Sequence, residues 1–215
     1  GRRCARRDQD VNRRKATRIA SKIITLVTAF DRLRNGKEPL SPNPDLTQSG
    51  NFLYMLNGQE PSATAERAFN TVLVLHADHG FNASTFSARV TASTLSDIHS
   101  AITSAIGTLK APLHGGANPN VMQMLLEIDE QGADPVEYVK QKLEAGEKVS
   151  GFGHRVYNTE DPRATHLREM SEQLGEQKGT RKWFEYSRQI EDFMLEDKGI
   201  NANVDFYSAS TFYQL

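Results

Sequence analysis

Apolar positions along this chain recur mostly at helical spacing. Ile19, Ile23, Ile24, Val27 and Phe30 follow a 3.6-residue period, and Gly36 with Pro39, Pro42 and Pro44 ends that segment in a loop. Ser62 is placed to cap the next helix, whose Phe69, Val72 and Leu73 share a face with His76. Gly80 interrupts that pattern, and a further helix starts near Asn82 and runs as NASTFSARVTASTLSDIHSAITSAIG. Its Ser84, Ala88 and Ala92 lie four apart, a stripe of small side chains that lets another helix approach closely, as in helical cores and subunit interfaces.

Downstream the same punctuation repeats. After Gly115 and Gly116, Asn118 and Pro119 read as N-cap and first helical residue, and Val121, Met124 and Ile128 form the apolar stripe that follows. Asp134-Pro135 opens another helix with Val136, Val139 and Leu143 inward and Gly146 as its stop. Asp161-Pro162 opens a third, with Leu167, Met170 and Leu174 inward. A last long helix carries Trp183, Tyr186, Ile190 and Phe193 and ends near Gly199. Strand alternation is scarce, and there is no internal repeat or low-complexity tract. The pattern predicts an all-α protein with short, turn-rich connections.

Composition narrows the class. The chain has 215 residues, 38% hydrophobic and 25% charged, which suits one large domain or two unequal ones. A formal net charge of −1 gives no global field toward nucleic acid or a membrane surface, and no apolar run reaches the ~20 residues of a membrane span. Cys4 is the only cysteine, which excludes an internal disulfide framework and favours a reducing, cytoplasmic setting. Arg2, Arg3, Arg6, Arg7, Arg13, Arg14, Lys15 and Arg18 crowd the start against Asp8 and Asp10 alone. Because this run leads into an apolar-periodic segment and the chain opens on Gly1, it reads as a solvated helix face in a truncated sequence.

Several residues carry chemistry. Arg163 stands in a helix's first turn, where the macrodipole disfavours a cation by a few tenths of a kcal/mol or more. The mismatch is relieved if an anion docks there, or if the arginine simply pairs with Glu160 or Asp161. His154 follows Gly151 and Gly153, which permit close backbone approach to a ligand, and a loop imidazole can exchange a proton near neutrality. The alternative is a turn histidine bonded to backbone. The segment GFGHRV lacks the third glycine and preceding strand of a dinucleotide fingerprint. His114 repeats the layout, before Gly115, Gly116 and a helix start, and such a histidine can donate to developing negative charge. LHADHG offers His76, Asp78 and His79, but nothing supplies a third and fourth metal ligand, so no metal is expected. Asp205, in the polar segment NVDFYS after the last long helix, reads locally as a cap or turn residue.

Four segments in order, HADHGFNASTF, LHGGANPNVMQML, GFGHRVYNTEDPRA and NVDFYSA, closely resemble the citrate synthase family, and the likeness runs from about Ile19 to Tyr207. The resemblance implies condensation of acetyl-CoA with oxaloacetate and water to citrate and CoA, the first step of the tricarboxylic acid cycle, without metal or redox cofactor. By resemblance Asp205 would remove the methyl proton of acetyl-CoA, and His114 would stabilise the enol. His154 would protonate the oxaloacetate ketone. Arg163 would hold an oxaloacetate carboxylate, and His79 would contact the same substrate. The fold implied is a large helical domain, here residues 1–116 with the Ala/Ser helix in a homodimer interface, and a small one, residues 117–215. Such enzymes assemble as homodimers or higher homo-oligomers.

The match also has departures. Family chains continue beyond this one at both ends and add two later arginines for oxaloacetate, so a fragment with an incomplete site is expected. Gly80 and Phe81 replace the usual Glu-Leu, Ala111 a common glycine, Pro119 a frequent glutamate, and Asn158 a basic residue able to contact CoA phosphate. Two rivals share these motifs: 2-methylcitrate synthase, which takes propionyl-CoA, and a non-catalytic helical binding protein of the same fold.

Overall fold

The protein is described by a computed structural model covering residues 9–78, 80–112, 114–154, 157 and 159–215. Among these residues ten α-helices form and no strand does; Phe152 and Ala202 make one isolated antiparallel bridge. The all-α expectation holds. The helices are α1 (Gln9–Arg34), α2 (Gln48–Asn57), α3 (Ala63–Leu75), α4 (Ala83–Ser93) and α5 (Ile98–Leu109), then α6 (Ala117–Gln131), α7 (Pro135–Glu144), α8 (Pro162–Lys178), α9 (Lys182–Lys198) and α10 (Val204–Tyr213). No helix among the described residues is long and apolar enough to cross a membrane. The chain divides into two compact units, residues 1–66 with 80–109, and residues 67–79 with 110–215.

In the first unit, α2 departs from the expected loop. Its residues Phe52 to Leu56 are five consecutive apolar or aromatic side chains, a run that declares no helical period. The helix is set instead by its ends. Thr47 caps it by accepting from Gly50 N, and Gly58, at φ 83°, donates its N–H to Tyr54 O. Buried Asn51 closes the proline-containing loop before it, accepting from Asn43 N at 2.7 Å and donating to Asn43 O and Leu46 O.

The Ala/Ser segment is two helices rather than one. Asp97 caps α5, taking the N–H groups of His99 (2.8 Å) and Ser100 (3.1 Å), and Leu95 turns the chain with φ 65°. Before the turn, the hydroxyls of Ser93 and Thr94 bond back to Val90 O and Thr91 O and compete for helix carbonyls. The small stripe Ser84–Ala88–Ala92 then faces Ala101 and Ala105 of α5, and Ser87 Oγ meets Ser104 Oγ across the hairpin at 2.5 Å. The period on α1 is helical, yet Leu26, Val27, Phe30 and Leu33 stay exposed, as do Phe86 and Val90 on α4.

The second unit contains the larger core. Val72 of α3, Val121, Leu125 and Ile128 of α6, Val139 of α7, Leu167 of α8 and Ile190 of α9 pack around Phe206 and Tyr207 of α10. Asp134 and Asp161 cap α7 and α8 with proline at the first helical position, as the sequence predicts. α6 differs: it begins at Ala117 with Gly116 as N-cap, so Asn118 and Pro119 already lie inside it. A Cβ on Gly116 would sit 2.7 Å from Pro112 Cα, and only glycine permits that turn to pack. α10 was not legible as a helix because seven of its ten residues are buried, on every side, which erases the amphipathic signal.

Candidate active site

Of the residues singled out for chemistry, His76, His114, His154, Arg163 and Asp205 all belong to the second unit, and the elements that carry them meet around the first turn of α10. Asn203 caps α10 by accepting from Asp205 N at 2.9 Å, so Asp205 occupies the helix's second position. This corrects the expectation of a short polar segment and gives the aspartate a rigid mount. Burial pushes the Asp205 carboxyl above the usual carboxylate range, and Asp161 adds to the effect. The charges of His76, Arg163 and His114 pull it the other way. Four elements therefore meet electrostatically at this carboxylate: the end of α3, the turn before α6, the start of α8 and the start of α10.

The His154 loop is stapled to the segment that leads into α10. Gly153 N donates to Asn201 O at 2.9 Å, Asn203 N donates to Gly151 O at 2.9 Å, and Asn203 Nδ2 donates to Gly153 O at 2.9 Å. The two glycines have separate reasons. A Cβ on Gly151 would lie 2.8 Å from Phe206 Cδ2 and 2.9 Å from Val121 Cγ2, so here the close backbone approach is to α10 and α6 rather than to a ligand. A Cβ on Gly153 would meet only Ile200 Cγ2, at an ordinary 3.8 Å, but φ is 77°, which L side chains resist. The His154 imidazole lies against the Tyr157 ring, centroids 4.5 Å apart, and its Nδ1 accepts the Tyr157 backbone N–H at 3.1 Å.

Arg163 answers its own mismatch with the helix dipole. Its guanidinium pairs with the capping Asp161, Nε to Oδ1 at 3.0 Å and Nη2 to Oδ2 at 2.7 Å, while Glu160 pairs with Arg168 instead. The arginine is not a surface group: its side chain is 11% exposed and that of Asp161 0%. Burial opposes ionisation of Asp161, but the hydrogen bonds and charge of Arg163 and the N–H of Val204 hold its carboxyl below the usual range.

His114 sits in a turn, with its N–H on Ala111 O at 3.0 Å. His76, noted in the sequence on the face of α3 and as one of a possible metal pair, directly follows that helix; its Nδ1 is 2.8 Å from Val72 O and must donate there, since a carbonyl only accepts. Among the described residues no group of three or more His, Cys, Asp or Glu could hold a metal ion. His79 and Asn158 lie outside the described residues.

A family model for the C-terminal domain of citrate synthase matches residues 2–215. The chain is 56% identical over 208 residues to a citrate synthase of Haloferax volcanii, covering 97% of this chain and 55% of that protein. It is 55% identical over 207 residues to citrate synthase 2 of Bacillus subtilis, covering 96% and 55%. Among solved structures, the citrate synthase of Thermoplasma acidophilum, in a ternary complex with carboxymethyl coenzyme A and oxaloacetate, superposes with a TM-score of 0.88 at 32% identity, over 96% of this chain and 55% of that one. The all-α fold is that of the citrate synthase structures. The chain belongs to the citrate synthase family, and it spans about half the length of the curated relatives it matches.

Proposed function

We propose that the protein containing this chain is a citrate synthase, joining acetyl-CoA to oxaloacetate and releasing citrate and CoA after hydrolysis of the thioester. The observation that carries the reading is the convergence of His76, His114 and Arg163 on the partly buried Asp205 carboxylate. A thioester α-proton is too weakly acidic for a carboxylate in water, so a desolvated base needs a hydrogen-bond donor on the developing enolate oxygen.

Asp205 takes a methyl proton from acetyl-CoA while His114 donates to the thioester oxygen. The enol carbon attacks the ketone carbon of oxaloacetate, and His154 delivers a proton to the ketone oxygen. Its Nδ1 is occupied by the Tyr157 N–H, so in the neutral ring the proton resides on Nε2, the tautomer this step requires. Arg163 binds a substrate carboxylate, and His79 makes a further contact to oxaloacetate. Orientation of both reactants in one closed cleft contributes roughly 7–11 kcal/mol to the barrier reduction.

The chain supplies residues 1–116 to a large domain and 117–215 to a small one. The protein works in the cytoplasm as a homodimer or higher homo-oligomer. Exposed apolar residues on α1 and α4, Leu26, Phe30, Phe86 and Val90 among them, support an interface there, because isolated monomers rarely leave such rows uncovered.

The test is turnover of the full-length protein with oxaloacetate and either acetyl-CoA or propionyl-CoA, followed by thiol release and product identification. Citrate formation favoured with acetyl-CoA supports the reading. Preference for propionyl-CoA would make the protein a 2-methylcitrate synthase, and no thiol release with either would leave a binding protein of this fold.

A further inference from the structure

Asp161 makes more bonds than a helix cap requires. Its Oδ1 accepts Arg163 N and Arg163 Nε, each at 3.0 Å, and its Oδ2 accepts Arg163 Nη2 at 2.7 Å and Val204 N at 3.1 Å. Capping α8 uses one oxygen and no charge, and asparagine or serine would serve equally well there. What needs a carboxylate is the rest: a bidentate hold on a guanidinium, and a second acceptor for the first N–H of α10. Val204 is the residue immediately before Asp205.

We propose that Asp161 is a positioning residue that binds the Arg163 guanidinium and the first turn of α10 into one rigid unit, so that a substrate carboxylate captured at Arg163 meets the Asp205 base at a fixed offset. This rests on the reading given above for Arg163 and Asp205. The side chain of Asp161 has no exposed surface, so water cannot substitute for either partner. Both of its oxygens are committed, which means that displacing the guanidinium disturbs the Val204 bond and with it the mount of Asp205. The charged groups that face Asp205 are His76 from the turn after α3, His114 from the turn before α6, and Arg163 with Asp161 from the first turn and cap of α8. Loss of the Asp161 charge makes that surrounding more positive, which favours the ionised base at lower pH.

Two variants of the full-length protein separate the halves of the unit. Asp161→Asn keeps the α8 cap but cannot hold the guanidinium and the Val204 N–H together. Oxaloacetate affinity, read by calorimetry, should fall by about ten-fold or more. The acid limb of the kcat profile should move to lower pH, a shift that simple loss of folded protein would not produce. Val204→Pro deletes the N–H at the first position of α10, where proline is tolerated, and exchanges the buried isopropyl for a ring of similar size; the preceding Asn203 is extended, at φ −109° and ψ −178°, as suits a residue before proline. There, oxaloacetate affinity should stay within about two-fold while kcat falls about ten-fold or more, because the base is misplaced and the anion site is not. If Asp161→Asn does not fold, Val204→Pro still decides. Unchanged oxaloacetate affinity in the first variant, or unchanged kcat in the second, overturns the proposal while leaving the synthase reading intact. Wild-type protein that neither binds oxaloacetate nor releases CoA would overturn both.

Discussion

The backbone N–H of Tyr157 points at Nδ1 of His154 from 3.1 Å. An amide N–H can only donate, so that ring nitrogen must accept, and the neutral imidazole carries its proton on Nε2. A loop histidine with rotational freedom would sample both tautomers; this one is fixed by backbone and by the Tyr157 ring beside it. Nitrogen-15 NMR of the full-length protein at neutral pH should therefore show His154 with an acceptor-type Nδ1 and a protonated Nε2. The opposite assignment would remove the side chain from the role of proton donor to the ketone.

Asp205→Asn separates catalysis from stability. Loss of the proposed base should lower condensation by about 100- to 10,000-fold, with oxaloacetate binding largely intact. Stability should move the other way. Burial raises the folded carboxyl above its unfolded value, so the native state holds the proton more tightly, and the ionised group at neutral pH costs stability. That cost is fully present above the folded value and disappears as pH falls to the unfolded value of about 3.9. The variant's thermal midpoint should thus equal or exceed that of wild type at pH 7, and the two should converge in acid. Near-normal turnover would remove Asp205 as base; a lower midpoint at pH 7 would contradict the electrostatic argument.

On the proposed reading Arg163 serves substrate and fold together, and its variants should show both losses. Removing one partner of a buried pair leaves the other charge uncompensated, at about 3–5 kcal/mol. Arg163→Leu should lower the thermal midpoint by that mechanism, since Asp161 stays fully buried, and should weaken oxaloacetate binding as well. Arg163→Lys keeps the charge and loses the fork, so it should fall between leucine and wild type on both measurements. Oxaloacetate affinity unchanged in the folded fraction of the leucine variant would argue against the carboxylate role.

Much of this was legible in the sequence, for reasons that can be traced residue by residue. The Asp-Pro pairs at 134 and 161 announce helix starts because cap and fixed φ are local properties, and the structure places α7 and α8 there. The same locality fails for Asn118, whose amide instead reaches Ser208 Oγ at 2.5 Å, a tertiary contact no neighbouring residue reveals. α2 hides in an unbroken apolar run, and α10 in a helix buried all round. Among the candidate site residues, the four segments that carry the family likeness exposed His114, His154, Arg163 and Asp205. Asp161 was legible as a helix cap and as a partner of Arg163, and His76 as a residue on the α3 face, but their further parts depend on which elements pack together: His76 acts on a carboxylate 129 positions later in the chain, and Asp161 reaches across to Val204.

The mount of Asp205 extends into a buried network that can be weakened by one atom. Tyr207 OH donates to Glu191 Oε2 at 2.5 Å, and the same carboxylate accepts from Arg168 and Arg188. Burial, then the Glu191 charge, pushes the Tyr207 hydroxyl up, so it stays a donor throughout the physiological range. Tyr207→Phe removes this bond to a charged acceptor while preserving the ring under the Arg168 guanidinium, 5.1 Å away. A loss of about 1.5–3 kcal/mol in denaturant unfolding is expected. No loss would mean that the two arginines alone satisfy Glu191.

Gly151→Ala should be the most damaging conservative change in the His154 loop. The residue has φ 86°, a region that a Cβ disfavours, and the added methyl would stand 2.8 Å from Phe206 Cδ2, 2.9 Å from Phe206 Cβ and 2.9 Å from Val121 Cγ2. Neither neighbour can retreat: Phe206 and Val121 are both 0% exposed and sit in the core between α6 and α10. Overpacking of this kind costs about 1–3 kcal/mol, and the backbone conformation adds about 1 kcal/mol more. The strain should be relieved by moving the loop, which is bonded through Gly151 O and Gly153 O to Asn203, the cap beneath Asp205. Gly153→Ala provides the control, since it carries the φ penalty at 77° but has only Ile200 Cγ2, 3.8 Å away, near its Cβ. Thermal unfolding of the two variants side by side should place Gly151→Ala clearly below Gly153→Ala, and equal midpoints would show that backbone conformation alone, not contact with Phe206, explains the glycine at 151.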